Sequence, residues 1–260
     1  MSAPFWLFAT RYPMSDLTRP QPFCWRAHSI SHAGSVRAAN EDAVLCRDDV
    51  QLWAVADGMG GHNCGDVASN TLVRHLERTD ASPSLADAVD ALEDSLLKAN
   101  RAVLNYAQTH FAGALMGSTF VAVLIRGNLG FVAWAGDSRL YRLRRGQMRA
   151  LTRDHSRVQE LADQGRQDPH AVGSNVITRA LGVDEFLPMD MTLFSAQPGD
   201  TFLLCSDGLY NACDEQTLID GLSLEHNHLA CQFLLDKALQ NGAHDNVSAV
   251  VLRAVPWSGH

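Results

Sequence analysis

Ser118-Thr-Phe-Val-Ala-Val-Leu-Ile-Arg126, Gly127-Asn128, Leu129-Gly-Phe-Val-Ala-Trp-Ala-Gly136 reads as two apolar strands folded about a two-residue turn. Glycine and asparagine tolerate the positive φ that a tight hairpin needs, so these runs pair antiparallel. A third strand is expected at 138–144 and a fourth near 147–151. Strands in a hairpin-joined run exclude a doubly wound parallel sheet, which needs regular alternation of strand and helix.

Outward from this hairpin, residues 24–32 and 43–56 read as strands. Residues 63–79 read as a helix with Asn63 as N-cap, and 84–110 as a second, capped by Ser84. The second carries Leu85, Ala88, Val89, Leu92, Leu96 and Val103 at helical spacing. Residues 152–182 are polar and irregular, with a short helix near 156–164, and read as an excursion over the core. Strands are expected again at 190–195, 200–206 and 246–255, and helices near 214–222 and 226–240. The pattern predicts an α+β fold in which antiparallel sheets pack together with helix pairs outside. Residues 1–22 read as a flexible N-terminal tail and 23–256 as one domain.

Three apolar runs end in an aspartate beside a glycine: at Asp57-Gly58, at Gly136-Asp137 and at Asp207-Gly208. A fourth acid, Asp245, opens the run Val247–Leu252. One Asp-Gly pair at a strand end is usually only a turn. Four carboxylates delivered to strand ends would repel strongly in one cleft, and a bound divalent metal is the economical counter-charge. Asp and Glu with backbone carbonyls suit hard cations such as Mg2+ or Mn2+. Arg37, just ahead of Glu41-Asp42, offers the planar fork that grips a phosphate monoester.

The chain of 260 residues is 46% apolar and 19% charged, as expected of a globular domain with a sizeable core. Its net charge of −8 argues against a nucleic-acid binder, which needs a basic face. No apolar stretch reaches transmembrane length. Six cysteines at 24, 46, 64, 205, 213 and 231 form no CxxC pair, which favours a reducing, cytoplasmic setting over a disulfide framework or a zinc site.

These residues resemble the type 2C metal-dependent serine/threonine protein phosphatases, in a bacterial form. The resemblance rests on Arg37-x-x-Asn40-Glu41-Asp42, Val55-Ala-Asp57-Gly58-Met59-Gly60-Gly61, Gly117-Ser118-Thr119 and Gly136-Asp137-Ser138-Arg139, in the family's order. Leu151-Thr-Arg-Asp154-His155-Ser156, Ile177-Thr-Arg179-Ala-Leu-Gly182, Ser206-Asp207-Gly208-Leu209 and Asp245-Asn246-Val247-Ser248 complete it. It implies a four-layer αββα sandwich and hydrolysis of phosphoserine and phosphothreonine by a water bridging two Mg2+ or Mn2+ ions. By position, Asp57 would bridge the metals, and Asp207 and Asp245 would hold the first. Glu41 and the carbonyl of Gly58 would serve the second. Asp137 would belong to a third, weaker site, and Arg37 would bind the phosphate. Residues 152–175 would form a flap beside the cleft.

The resemblance also implies phosphoprotein substrates, an opposing serine/threonine kinase and a monomer, with no membrane or nucleic-acid partner. Met59 departs from many eukaryotic relatives, which carry a histidine there as general acid. His62 reads as a surface residue, which leaves the acid role to water. Two other classes compete. A pseudophosphatase would bind phosphoproteins without turnover, yet no metal acid is lost. A metal-dependent nuclease would want a basic track.

Overall fold

Alternate residues of β3 (Leu52–Gly60) enter different layers, as pleating requires. Leu52, Ala54 and Ala56 pack under helices, while Trp53 and Val55 pack between two sheets. The computed structural model describes residues 23–60, 64–82, 84–166 and 176–256. One sheet has the order β1 (Phe23–His32), β10 (Val247–Pro256), β9 (Thr201–Cys205), β6 (Arg139–Arg144) and β7 (Gln147–Ala150). The other has β2 (Asp42–Arg47), β3, β4 (Met116–Arg126), β5 (Leu129–Ala135) and β8 (Asp190–Ser195). Every pairing is antiparallel. Arg126 pairs with Leu129 around Gly127-Asn128, as the hairpin reading requires.

Helices α1 (Gly65–Leu76) and α2 (Leu85–His110) cover the β3 sheet. Ala68, Leu72, Val73 and Leu76 form the buried stripe of α1, and Ala88, Leu92, Leu96, Ala99 and Val103 that of α2. Ser84 Oγ accepts from the N–H of Asp87 at 3.4 Å, the cap expected from the sequence. α4 (Asp207–Ala212), α5 (Glu215–Leu222) and α6 (Asn227–Gln240) cover the β10 sheet. The result is the expected αββα sandwich. Trp25, Trp53, Phe202 and Leu252 fill the middle layer, with Trp25 edge-on to Phe202 at 5.4 Å. Fully burying such side chains stabilises by roughly 1.5–3 kcal/mol each, so Trp53→Ala would open a cavity costing roughly 3–5 kcal/mol.

Two local readings change, and one helix is added. The strand expected over 43–56 is two strands, β2 and β3, joined by a turn at 48–51 in which Gln51 takes φ +50°. Asp48 makes that turn: its carbonyl accepts from Gln51 Nε2 at 2.6 Å and its carboxylate from Trp53 Nε1 at 2.8 Å. Asp207 opens α4, a helix that the apolar run ahead of it does not announce. Asn63 lies outside the described residues; the N-cap position of α1 is Cys64, which makes no side-chain cap bond. The tail at 1–22 and residues 167–175 of the excursion also lie outside. α3 (Arg157–Asp163) is the short helix expected there, capped by Ser156 Oγ on the N–H of Gln159 at 3.3 Å.

Candidate metal centre

The registers bring the candidate acids to one end of both sheets. Asp57 pairs with Asp42 at the start of β2 and with Thr119 near the start of β4. Asp207 follows β9, and Asp245 precedes β10 at the end where Cys205 pairs with Ala249. Asp137 lies in the crossing from β5 to β6, between the sheets. The four strand-end aspartates thus lie at one end of the two sheets, and burial and mutual repulsion raise Asp57, Asp137 and Asp207. Desolvation, then repulsion from Asp42, Asp207, Asp137 and Asp245, holds the Asp57 carboxyl well above its ordinary value. Desolvation, then Asp245, raises Asp207. Desolvation, then Asp207 and Asp154, lifts buried Asp137 to about 7.

Asp42 is a cleft acid for which the sequence reading gave no role. It is 7% exposed, and burial raises its carboxyl to about 6 although Ser248 and Ser206 bond to it. Ser206 Oγ donates to Asp42 Oδ2 at 2.7 Å, while Oδ1 is buried without a partner. The sequence offers only its place one residue after Glu41; the partnership with Asp57 appears once the 43–56 stretch folds back as β2 and β3. Asn246 was also passed over. Its Oδ1 accepts from the N–H of Glu41 at 2.8 Å, and its Nδ2 donates to Ala33 and Ala39 carbonyls at 3.0 and 2.9 Å. Its own N–H donates to Asp245 Oδ1 at 2.9 Å. One residue therefore fixes Glu41 through its side-chain amide and Asp245 through its backbone N–H.

Glu41 is gripped from several sides. Its carbonyl accepts from the N–H of Gly58 at 3.1 Å and from Ser69 Oγ at 2.6 Å, and its Oε1 from the N–H of Gly65 at 3.2 Å. Gly58 and Gly65 permit this approach. A Cβ on Gly58 would lie 2.1 Å from the Gly65 carbonyl oxygen, and one on Gly65 would lie 2.8 Å from Glu41 Cδ.

Arg37 is exposed and donates from Nη2 to Asp245 Oδ2 at 2.7 Å. That bond, with the nearby Asp245, Glu41 and Asp57 charges, raises the guanidinium further. Among the described residues no three Asp, Glu, His or Cys side chains already close into a coordination shell. Asp245 turns to Arg37, and Asp57 shares a hydrogen bond with Asp207. The donor chemistry still fits hard divalent cations: crowded carboxylates, an orphaned carboxylate oxygen and Arg37 as counter-charge at the rim. Met59 offers no proton; a Cβ on Gly117 would lie 3.1 Å from both Met59 Cε and Val183 Cγ2. His62 lies outside the described residues.

Comparison with known proteins agrees with this architecture. The description of the protein phosphatase 2C family matches residues 25–247. Serine/threonine protein phosphatase PstP of Mycobacterium tuberculosis is 36% identical over 231 residues, covering 87% of this chain and 44% of that protein. The chain thus spans less than half the length of that relative. Serine/threonine phosphatase stp of Listeria welshimeri is 33% identical, with 84% and 92% covered. PppA, a key regulatory component of T6SS in Pseudomonas aeruginosa, superposes with a TM-score of 0.83 at 44% identity, covering 89% of this chain and 98% of that one. The catalytic domain of PstP in complex with two manganese ions gives 0.82 at 35% identity, covering 90% and 99%. Likeness over this much of the sequence and of the sandwich makes the chain a member of the protein phosphatase 2C family.

Proposed function

We propose that the chain is a protein-serine/threonine phosphatase that hydrolyses phosphoserine and phosphothreonine with Mn2+ or Mg2+. The single observation that carries this reading is the convergence of Asp42, Asp57, Asp137, Asp207 and Asp245 at one end of the two sheets, with Arg37 paired to Asp245 at 2.7 Å. Family membership and the two manganese ions of the PstP catalytic domain support it.

Asp57, Asp207 and Asp245, with Glu41 and the carbonyl of Gly58, would hold two cations, and Asp137 a weaker third. When bound, the cations supply acidified water and neutralise charge on the phosphate. The chain's own residues supply placement. Asn246 keeps Glu41 and Asp245 at a fixed spacing. Arg37, held at the rim by Asp245, can turn its fork onto the incoming phosphate oxygens and steady the charge that develops there. The proposed chemistry uses no cysteine nucleophile, and burial pushes the thiol of Cys205, two residues before Asp207, far up, so it stays protonated.

Phosphoprotein substrates, an opposing serine/threonine kinase, a monomeric state and a cytoplasmic location belong to the same reading. The scattered cysteine spacing supports the last. Among the described residues no helix is long and apolar enough to cross a membrane. The test is hydrolysis of a phosphothreonine peptide with Mn2+, with excess EDTA, and with Asp57→Ala. Turnover with Mn2+ alone is expected. Full activity in EDTA would overturn the metal reading, and no turnover by folded, Mn2+-loaded protein would favour a phosphoprotein-binding role.

A further inference from the structure

His155 is a second polar node beside the cleft, and the chemistry above makes no use of it. It is 6% exposed and stacks on Trp134 of β5, with ring centroids 5.9 Å apart and planes 6° from parallel. Backbone and ring both bind one residue, Gly136, which immediately precedes Asp137. The N–H of His155 donates to the Gly136 carbonyl at 2.9 Å, and the N–H of Gly136 donates to His155 Nδ1 at 3.2 Å. Gly136 has φ +108°, and a Cβ on it would lie 2.4 Å from Thr119 Cβ. The turn that carries Asp137 is therefore held by contacts that leave no room for another side chain.

The opposite ring nitrogen reaches elsewhere. Because Nδ1 accepts, the proton of the neutral ring sits on Nε2. Nε2 lies 3.2 Å from Asp190 Oδ2 at the start of β8 and 3.3 Å from Arg179 Nη1. Arg179 Nη1 in turn donates to Asp190 Oδ1 at 2.8 Å. The His155 carbonyl accepts from the N–H of Thr178 at 2.8 Å, and the N–H of Arg157 donates to the Val176 carbonyl at 3.0 Å. One residue thus joins the Asp137 turn, both chain segments at the base of the 152–179 excursion, and β8.

We infer that His155 is a positioning residue: Nδ1 sets the turn that aims the Asp137 carboxylate, and the Nε2 proton ties that turn to Asp190, which in turn holds Arg179. The two nitrogens have separate tasks, so two amide substitutions separate them. His155→Asn keeps an acceptor near the Nδ1 position and cannot reach Asp190. His155→Gln reaches toward Asp190 and gives up the acceptor for Gly136. A residue that only fills space would respond alike to both. The inference rests on Asp137 holding a weak divalent cation.

The experiment titrates Mn2+ into the full chain and both variants by calorimetry, and follows amide hydrogen exchange at Gly136. His155→Gln is expected to weaken the weakest Mn2+ site by roughly 10–100-fold, the usual effect of losing a residue that orients a ligand, and to speed exchange at Gly136. His155→Asn is expected to keep both near the parent values, because it retains the acceptor for the N–H of Gly136. Equal behaviour of the two variants, or unchanged Gly136 exchange in His155→Gln, would overturn the proposal. Asp137→Ala run in parallel distinguishes the two readings: if it leaves the weakest site intact, Asp137 is no ligand. The Gly136 exchange then still decides whether His155 clamps the turn.

Discussion

Asp42 and Asp57 stand directly opposite each other across the β2–β3 ladder. Like charges in that position destabilise a sheet. Asp42 is moreover buried, with one oxygen unpartnered. Burial and the neighbouring carboxylates raise both acids, so a proton or a cation placed between them relieves the pair.

Asp42→Asn should stabilise the metal-free protein at pH 8. The rise of this carboxyl from 3.8 to about 6 bounds the gain at about 3 kcal/mol. The asparagine can still accept from Ser206 and can donate toward Asp57. Urea unfolding in EDTA measures the difference, and a loss of stability would show that the carboxylate is needed for the fold itself. Mn2+ affinity should fall, because the cleft loses negative charge.

Without metal, stability should decline as pH rises. A carboxyl raised by folding favours the protonated protein. Its contribution is complete below the ordinary value of 3.8 and is lost as pH climbs through about 6 for Asp42 and about 7 for Asp137. Divalent cations compete with those protons, so the rise in Tm on adding Mn2+ should be larger at pH 8 than at pH 5. Thermal unfolding with and without Mn2+ across that range checks the sign; a Mn2+ effect independent of pH would contradict it.

Arg37→Ala should raise KM for a phosphopeptide without weakening Mn2+ binding, because the change frees Asp245 from a 2.7 Å ion pair. Loss of charge-assisted bonds to the phosphate predicts a deficit of roughly 1.5–3 kcal/mol in kcat/KM. Steady-state kinetics beside a Mn2+ titration test both halves. An unchanged KM would make Arg37 only a partner of Asp245.

Asp137→Ala should remove a weak metal site and leave the tighter pair bound. Asp137 is buried between the sheets, and its backbone carbonyl accepts from Tyr210 OH at 3.1 Å, a bond the substitution leaves in place. Turnover should fall, since Met59 cannot donate a proton to the leaving group and ordered water must do so. Metal stoichiometry decides: unchanged binding with a lower Tm would make Asp137 a turn residue only.

Much of this protein was legible locally. Gly127-Asn128 announces its hairpin, Ser84 caps its helix, and apolar spacing marks the buried stripe of α2, because turn chemistry and periodicity are carried by neighbours in sequence. Four candidate acids, Asp57, Asp137, Asp207 and Asp245, were legible for the same reason: each ends or opens an apolar run. Tertiary structure decided the rest. Asp42 became a site residue only when β2 and β3 placed it across from Asp57, and Asn246 only when it reached the backbone of Glu41, 205 residues away. Asp48 broke the expected 43–56 strand by bonding Gln51 and Trp53, a pattern that hydrophobicity does not encode. The joint of His155 with Gly136, Asp190 and Arg179 draws on three separate stretches of chain. Composition and spacing select which residues are carried to the cleft; burial and through-space charge, which depend on how the two sheets meet, set which of them act on one another.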